Sequence, residues 1–232
     1  MTKELRSRFS EIFSKYSDRG AEARSPSLSR YTYAVIFVLA ILVAIGIYWS
    51  TEPKLIEGVD NRISPLPGTV TVSILNDVVE VLLLKPGGFL SNDVTPPSIW
   101  LDNISSWEFG VLVQVRDLSK ALRESFSRSQ SQSKEDPDLA LAEPRFNVDH
   151  RSWAVPWPER EYAEGQTFLQ NYLLRLQDSA QNDPAEFFAR ADNLRYWLST
   201  VETRLGSLSQ RLSASVGQRR LDGLPDSRDS SR

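Results

Sequence analysis

The stretch that decides the fold is YTYAVIFVLAILVAIGIYWS, residues 31–50. Its twenty residues contain no charge, no proline and a single glycine, Gly46. At about 1.5 Å of rise per residue, a helix of this length matches the ~30 Å hydrocarbon layer of a bilayer. Only a segment that closes its own backbone hydrogen bonds can sit there. Tyr31 and Tyr33 stand at one edge, Tyr48 and Trp49 at the other. Such amphipathic rings favour the headgroup level. The sequence therefore predicts one transmembrane helix with the lipid bilayer as its first partner.

Charge sets the orientation. Seven basic residues precede the segment: Lys3, Arg6, Arg8, Lys15, Arg19, Arg24 and Arg30. The dozen residues after it carry Lys54 and Arg62 beside Glu52, Glu57 and Asp60. Excess Lys and Arg on the N-terminal side predicts that residues 1–30 stay inside and 51–232 lie outside. A cleavable signal peptide is the competing reading, but its apolar core runs to only about 7–15 residues before a small-x-small site. No such site is evident around 47–53.

Composition bounds the outer part. Its 182 residues suffice for one domain with a modest core or two small ones. The chain has no cysteine, so neither a disulfide framework nor a thiolate metal site is available. Of the 27 basic and 30 acidic residues, 20 and 26 lie beyond residue 50, a net −6. That balance argues against nucleic acid as a ligand.

Inside, 2–16 places Leu5, Phe9, Ile12, Phe13 and Tyr16 at helical spacing among basic residues. This reads as a short basic amphipathic helix whose charge is sufficiently explained by topology. Residues 17–30 read as a flexible joint. Outside, 51–67, with three prolines, reads as a stalk. The next run, GTVTVSILNDVVEVLLL (68–84), alternates like a strand at its start, yet Val70, Ile74, Val78, Val81 and Leu82 share one helical face. It is long for a strand and its Asn76-Asp77 lacks a following glycine, so a buried helix is expected. Lys85-Pro86-Gly87-Gly88 ends it.

Ser105-Ser106-Trp107-Glu108 has capping-box form, with Glu108 reaching back to an orphan amide. The helix that follows, about 106–128, repeats Trp107, Val111, Val115, Leu118, Leu122 and Phe126. Residues 127–158 read as a long connection pinned by Phe146, Trp153 and Trp157. A helix over 158–178 starts at Pro158 with Glu159 and Glu161 in its first turn. Asp183-Pro184-Ala185-Glu186 signals another start, giving a helix over 184–217.

That last helix carries Ala191, Leu194, Leu198, Val201, Leu205, Leu208 and Leu212 at alternating steps of three and four, a heptad seam that Val216 extends. A stripe of small residues, including Gly206 and Gly217, lies beside it. The simplest packing is an antiparallel hairpin with 158–178. The 34 residues of 184–217 would span about 51 Å against about 32 Å for the preceding helix, leaving two or three turns uncovered. Leu198, Val201, Leu205, Leu208, Leu212 and Val216 are therefore the candidate partner-binding residues, for an envelope protein or for self-association. Residues 218–232 read as a disordered tail.

Catalytic equipment is sparse. The one histidine, His150, sits in a proline-containing connection, and no G-x-S-x-G turn, phosphate loop or H-E-x-x-H motif occurs. No cofactor is implied. Paired carboxylates need no fixed spacing, so Asp93, Asp102 and Glu108, near Trp100 and Trp107, are candidates for an acid and base acting on glycans. Acids beside aromatic rings equally describe a loop packed on a core.

Three stretches together, KPGGFLSNDVTPPSIWLDNISSWEFGVLVQVRDL, SRSQSQSKEDPDL and RADNLRYWL…RLGSLSQRLSASVGQ, resemble a bacterial family of single-pass inner-membrane proteins defined as a domain of unknown function. The resemblance covers most of 68–218. It implies a bacterial inner membrane and a periplasmic domain, and it carries over no catalytic residue or ligand. The expectation is an all-α protein: an anchor, a helical periplasmic domain over 68–217 and a terminal helical hairpin. Its expected role is that of a scaffold or accessory protein, the alternative being an enzyme on cell-wall or lipid-linked glycans.

Overall fold

The computed structural model describes residues 26–53, 66–129, 134–178 and 183–222, with side chains described between 30 and 215. Six helices appear among them, and no strand: α1 Pro26–Trp49, α2 Thr69–Leu84, α3 Asp102–Ala121, α4 Pro137–Phe146, α5 Pro158–Gln177 and α6 Ala191–Asp222. A single 3₁₀ turn, Ser98–Trp100, precedes α3, and a π-helical turn, Leu122–Phe126, extends it. The expected basic helix at 2–16, most of the joint and stalk, and the tail beyond 222 lie outside the described residues.

The expectation that 68–84 is helical holds, but its buried face is rotated from the expected one. Val72, Leu75, Val79 and Leu82 are buried, whereas Val70 and Ile74 are exposed. The run is apolar nearly all round, so spacing alone does not single out which stripe faces the core. α2 lies against α3 and α5, and α5 lies against α4. The core they enclose joins the α2 residues to Leu112, Val115 and Leu122 of α3, Leu139, Ala142 and Phe146 of α4, and Tyr162, Leu169 and Tyr172 of α5.

Further differences lie in the C-terminal half. The 127–158 connection contains α4, capped by Asp136, whose Oδ1 accepts from the Asp138 and Leu139 amides at 3.0 and 3.2 Å, with Pro137 next in line. Arg175 of α5 fastens this cap, donating to Asp136 at 2.7 Å and Asp138 at 2.8 Å. Arg116 of α3 closes the other end of α4, donating to the carbonyls of Phe146 at 2.6 Å and Val148 at 2.8 Å.

The Asp183-Pro184 signal starts no helix. Residues 184–190 are non-helical. They plug the end of α3: Phe187 stacks on Phe126 with ring centroids 5.0 Å apart, and the Phe188 amide donates to the Phe126 carbonyl at 2.7 Å. Docking these two adjacent, half-buried aromatic residues on Phe126 defers α6 to Ala191. The shift also changes its partner, for α6 packs on α3 and not in the expected hairpin with α5. Asn193 bonds the Ser125 carbonyl at 3.0 Å, and Arg204 pairs with Asp117. The two helices therefore run antiparallel. α6 continues to Asp222 rather than ending near 217.

Two exchanges separate the core from the surface seam. Leu112 has no solvent exposure, and Leu→Ala at such a site costs about 2–5 kcal/mol. Leu208 is exposed, so Leu208→Ala should stay within about 0.5 kcal/mol of wild type. Thermal unfolding of the detergent-solubilised chain measures both; equal losses would contradict the assignment of Leu112 to the core.

Candidate functional site

Where α2 ends, the chain must turn into α3, and a buried ion pair fixes the turn. α3 begins at Asp102, four positions earlier than the capping-box reading expects, so Glu108 is no cap. It lies in the interior of α3, fully buried, on the helix face shared by Ile104, Leu112 and Val115. Its carboxylate pairs with the ammonium of Lys85, also buried, just past the end of α2. The same carboxylate accepts from the Leu90 amide at 2.8 Å and from the Ser91 hydroxyl, and Lys85 donates to the Gly88 carbonyl as well. Each charge thus enters the core with partners in place, which is the condition for burying one.

The reversal between Lys85 and Ser91 needs left-handed backbone at Gly87 and Gly88, with φ of 87° and 71°. That conformation suits glycine. Past it, Phe89 meets Tyr162 edge-on at 5.4 Å, and Asn92 donates to Glu159 at 3.0 Å. The loop after α2 is thereby tied to the start of α5.

Beside the ion pair lies a cleft of about 380 Å³ lined by Ser91, Ser105, Ser106, Phe109, His150 and Arg151. His150 lies against Phe109 with ring centroids 4.6 Å apart. Desolvation, opposed by the Asp149 charge, lowers the pKa of His150 from its ordinary value. The lining offers hydroxyls, an imidazole and a guanidinium, groups suited to a small polar or anionic moiety. Tyr162 is neutral at working pH, since burial pushes its hydroxyl up to about 12 while it donates to the Val148 carbonyl at 2.8 Å.

The three candidate acids do not line this cleft. Glu108 is occupied by Lys85. Asp93 turns its own loop: burial works against its charge, yet the Thr95 amide at 3.0 Å and hydroxyl at 2.8 Å hold its carboxyl below the usual range. Asp102 is exposed in the first turn of α3, where the helix dipole favours it. Among the described residues no group of three or more His, Asp or Glu side chains is placed to hold a metal ion.

The seam of α6 is largely bare. Leu198, Leu205, Leu208 and Leu212 are exposed and Val201 is half-buried, while the side chain of Val216 lies outside those described. At the start of the seam, Leu194 joins Trp197 in lining a cleft of about 470 Å³ with Phe126, Phe187 and Leu118, the root by which α6 holds the domain. Lys85, Ser91 and Asp117 escaped the sequence reading. Only Lys85 left a trace there, as a charge placed between an apolar run and a proline.

Fold and site define an all-helical domain carrying one N-terminal helix long and apolar enough to cross a membrane, Arg30–Trp49. The chain belongs to a bacterial family described as an uncharacterized protein conserved in bacteria (DUF2333), which it matches over residues 23–231. No curated protein and no solved structure matches it.

Removing one member of a buried pair strands the other and costs about 3–5 kcal/mol. Lys85→Met should therefore lose that much stability, and adding Glu108→Gln should restore most of it. Denaturant unfolding gives the coupling, and simple additivity of the two losses would contradict the pairing. The lowered His150 pKa means that the unfolded chain takes up the proton first. This contribution to stability is complete above the ordinary pKa of 6.5 and is lost as pH falls toward the lowered value. His150→Asn should flatten that part of the profile, and an unchanged slope would contradict it.

Proposed function

We propose that this chain is a membrane-anchored scaffold or accessory protein of the bacterial inner membrane, with its helical domain in the periplasm, acting through contact with another protein along α6. One observation carries the reading: α6 outruns its own domain. Its 32 residues span about 48 Å. Its attachments, through Asn193, Trp197 and the Arg204–Asp117 pair, fall in the first half. Beyond Arg204 the apolar seam continues as Leu205, Leu208 and Leu212, all exposed.

A single exposed leucine needs no explanation, but a heptad row of them does. A seam at this spacing suits knobs-into-holes contact with one further helix, and the partner is a helical segment of a second envelope protein. Membrane anchoring is supported by the uncharged twenty-residue run, its basic N-terminal flank and its aromatic edges. The family match begins at residue 23 and so includes that run.

The test is photo-crosslinking in cells from benzoylphenylalanine placed at Ser207, with and without Leu205→Glu and Leu208→Glu together. A discrete adduct that falls at least fivefold in the double variant, with helicity unchanged by circular dichroism, is the expected outcome. An adduct of equal yield in both would overturn the seam as the contact surface. An adduct of twice the chain's own mass would replace the proposed partner with a second copy.

A further inference from the structure

We propose that the domain docks on the bilayer itself, through apolar side chains displayed by two loops on the end that receives α1; this rests on reading α1 as a membrane span. The first loop is 93–101, which displays Val94, Ile99 and Trp100, the last two 61% and 59% exposed. The second is 149–157, which displays Trp153, Val155 and Trp157 at 73%, 87% and 61%. Three of the chain's six tryptophans thus lie uncovered in two short loops.

Both loops belong to the same end of the helix bundle. The first feeds the start of α3 and the second feeds the start of α5. Asn92 and Glu159 join them by a 3.0 Å hydrogen bond, and the cleft between them is lined from both sides by Ser91 and Arg151. α1 enters at this end too. Its Trp49 covers Gly87 so closely that a Cβ there would come within 2.8 Å of the indole.

Depth is what makes the membrane the occupant. A Cβ at Gly46 would lie 3.5 Å from that of Pro97, so the first loop reaches the level of Gly46. Gly46 precedes Trp49 by three residues, about 4.5 Å further along α1 toward the bilayer centre. If α1 spans, Pro97 therefore sits below the indole that marks the headgroup level, and its neighbours Ile99 and Trp100 accompany it. Tryptophan is favoured at that depth.

The loop's backbone is equipped for scarce water. Pro96 and Pro97 have no N–H to leave unsatisfied. The Trp100 and Leu101 amides donate to Pro97 and Ser98 carbonyls at 3.0 and 2.8 Å, the Thr95 amide to Asp93, and the Ser98 hydroxyl to the Thr95 carbonyl at 2.6 Å. Non-helical backbone near a bilayer is tolerated when its polar groups are satisfied internally. Residues 94–101 also carry no charge.

The absence of native cysteine makes the test direct. Full-length chains with one cysteine each, Ile99→Cys or Val155→Cys, are labelled with an environment-sensitive fluorophore. They are then placed in nanodiscs of phosphatidylethanolamine and phosphatidylglycerol containing lipid spin-labelled at acyl position 5. Val38→Cys serves as the control within α1, and Lys120→Cys as the control on α3 away from this end. Quenching of at least twofold at positions 99, 155 and 38, with none at 120, is the expected result. Positions 99 and 155 behaving like 120 while 38 is quenched would overturn the docking and leave the anchor standing. A blue-shifted but unquenched fluorophore at 99 and 155 would overturn it in favour of a second protein surface. Loss of quenching at 38 as well would overturn the span together with the docking.

Discussion

Lys85 and Glu108 are stripped of water where α2 gives way to α3, and much of the domain's geometry follows from that pairing. Two charges in an apolar interior are tolerable only with close opposite charge and further hydrogen bonds. Here these come from the Leu90 amide, the Ser91 hydroxyl and the Gly88 carbonyl, all on the loop between the two helices. Satisfying the charges therefore also shapes the loop. That shape sets Phe89 edge-on against Tyr162, brings Asn92 to Glu159, and leaves Gly87 free of a side chain where Trp49 of α1 packs. One desolvated pair thus couples α1, α2, α3 and α5 at one end of the bundle.

The opposite end is held by different means. Arg175 binds both acids at the start of α4, and Phe187 and Phe188 close the end of α3. From that plug α6 returns antiparallel along α3 and departs after the Arg204–Asp117 pair. The resulting division of labour is clear: one end meets α1, and the helix rooted at the other end carries the uncovered seam.

The helical class was legible because α1, α2, α3 and α5 advertise it by length and apolar spacing, α5 also by the proline at its first position. The limits are instructive. The same Asp-Pro signal occurs at 136–137 and at 183–184, and only the first starts a helix. After Pro137 the residues Leu139, Ala142 and Phe146 recur at helical intervals and bury one face. After Pro184 the adjacent Phe187 and Phe188 both engage Phe126, one through its ring and one through its amide, which an extended segment satisfies better. Which of these wins depends on the end of α3, a partner sixty residues away that local pattern does not contain.

The candidate site was less legible than the fold. Glu108 stands outside the apolar repeat read from the sequence, which offers it as a cap or as a catalytic acid, yet it lies on the buried face of α3 with Ile104, Leu112 and Val115. Its real reason, Lys85, is distant in sequence. The seam is the reverse case: its spacing and its uncovered last turns are readable in the sequence, but only the packing shows that Trp197 turns inward and that α3 holds the root of α6.

The most direct measurement of the central claim, an anchored domain displayed on the far side of the inner membrane, uses the chain's lack of cysteine. Ser14→Cys and Ser129→Cys, expressed singly, are exposed to a membrane-impermeant maleimide in cells with a permeabilised outer membrane. Labelling of Ser129→Cys in the intact-length, membrane-bound chain, with Ser14→Cys labelled only after lysis, is the result expected. Labelling of Ser14→Cys without lysis, or recovery of Ser129→Cys in a shortened soluble chain, would contradict it.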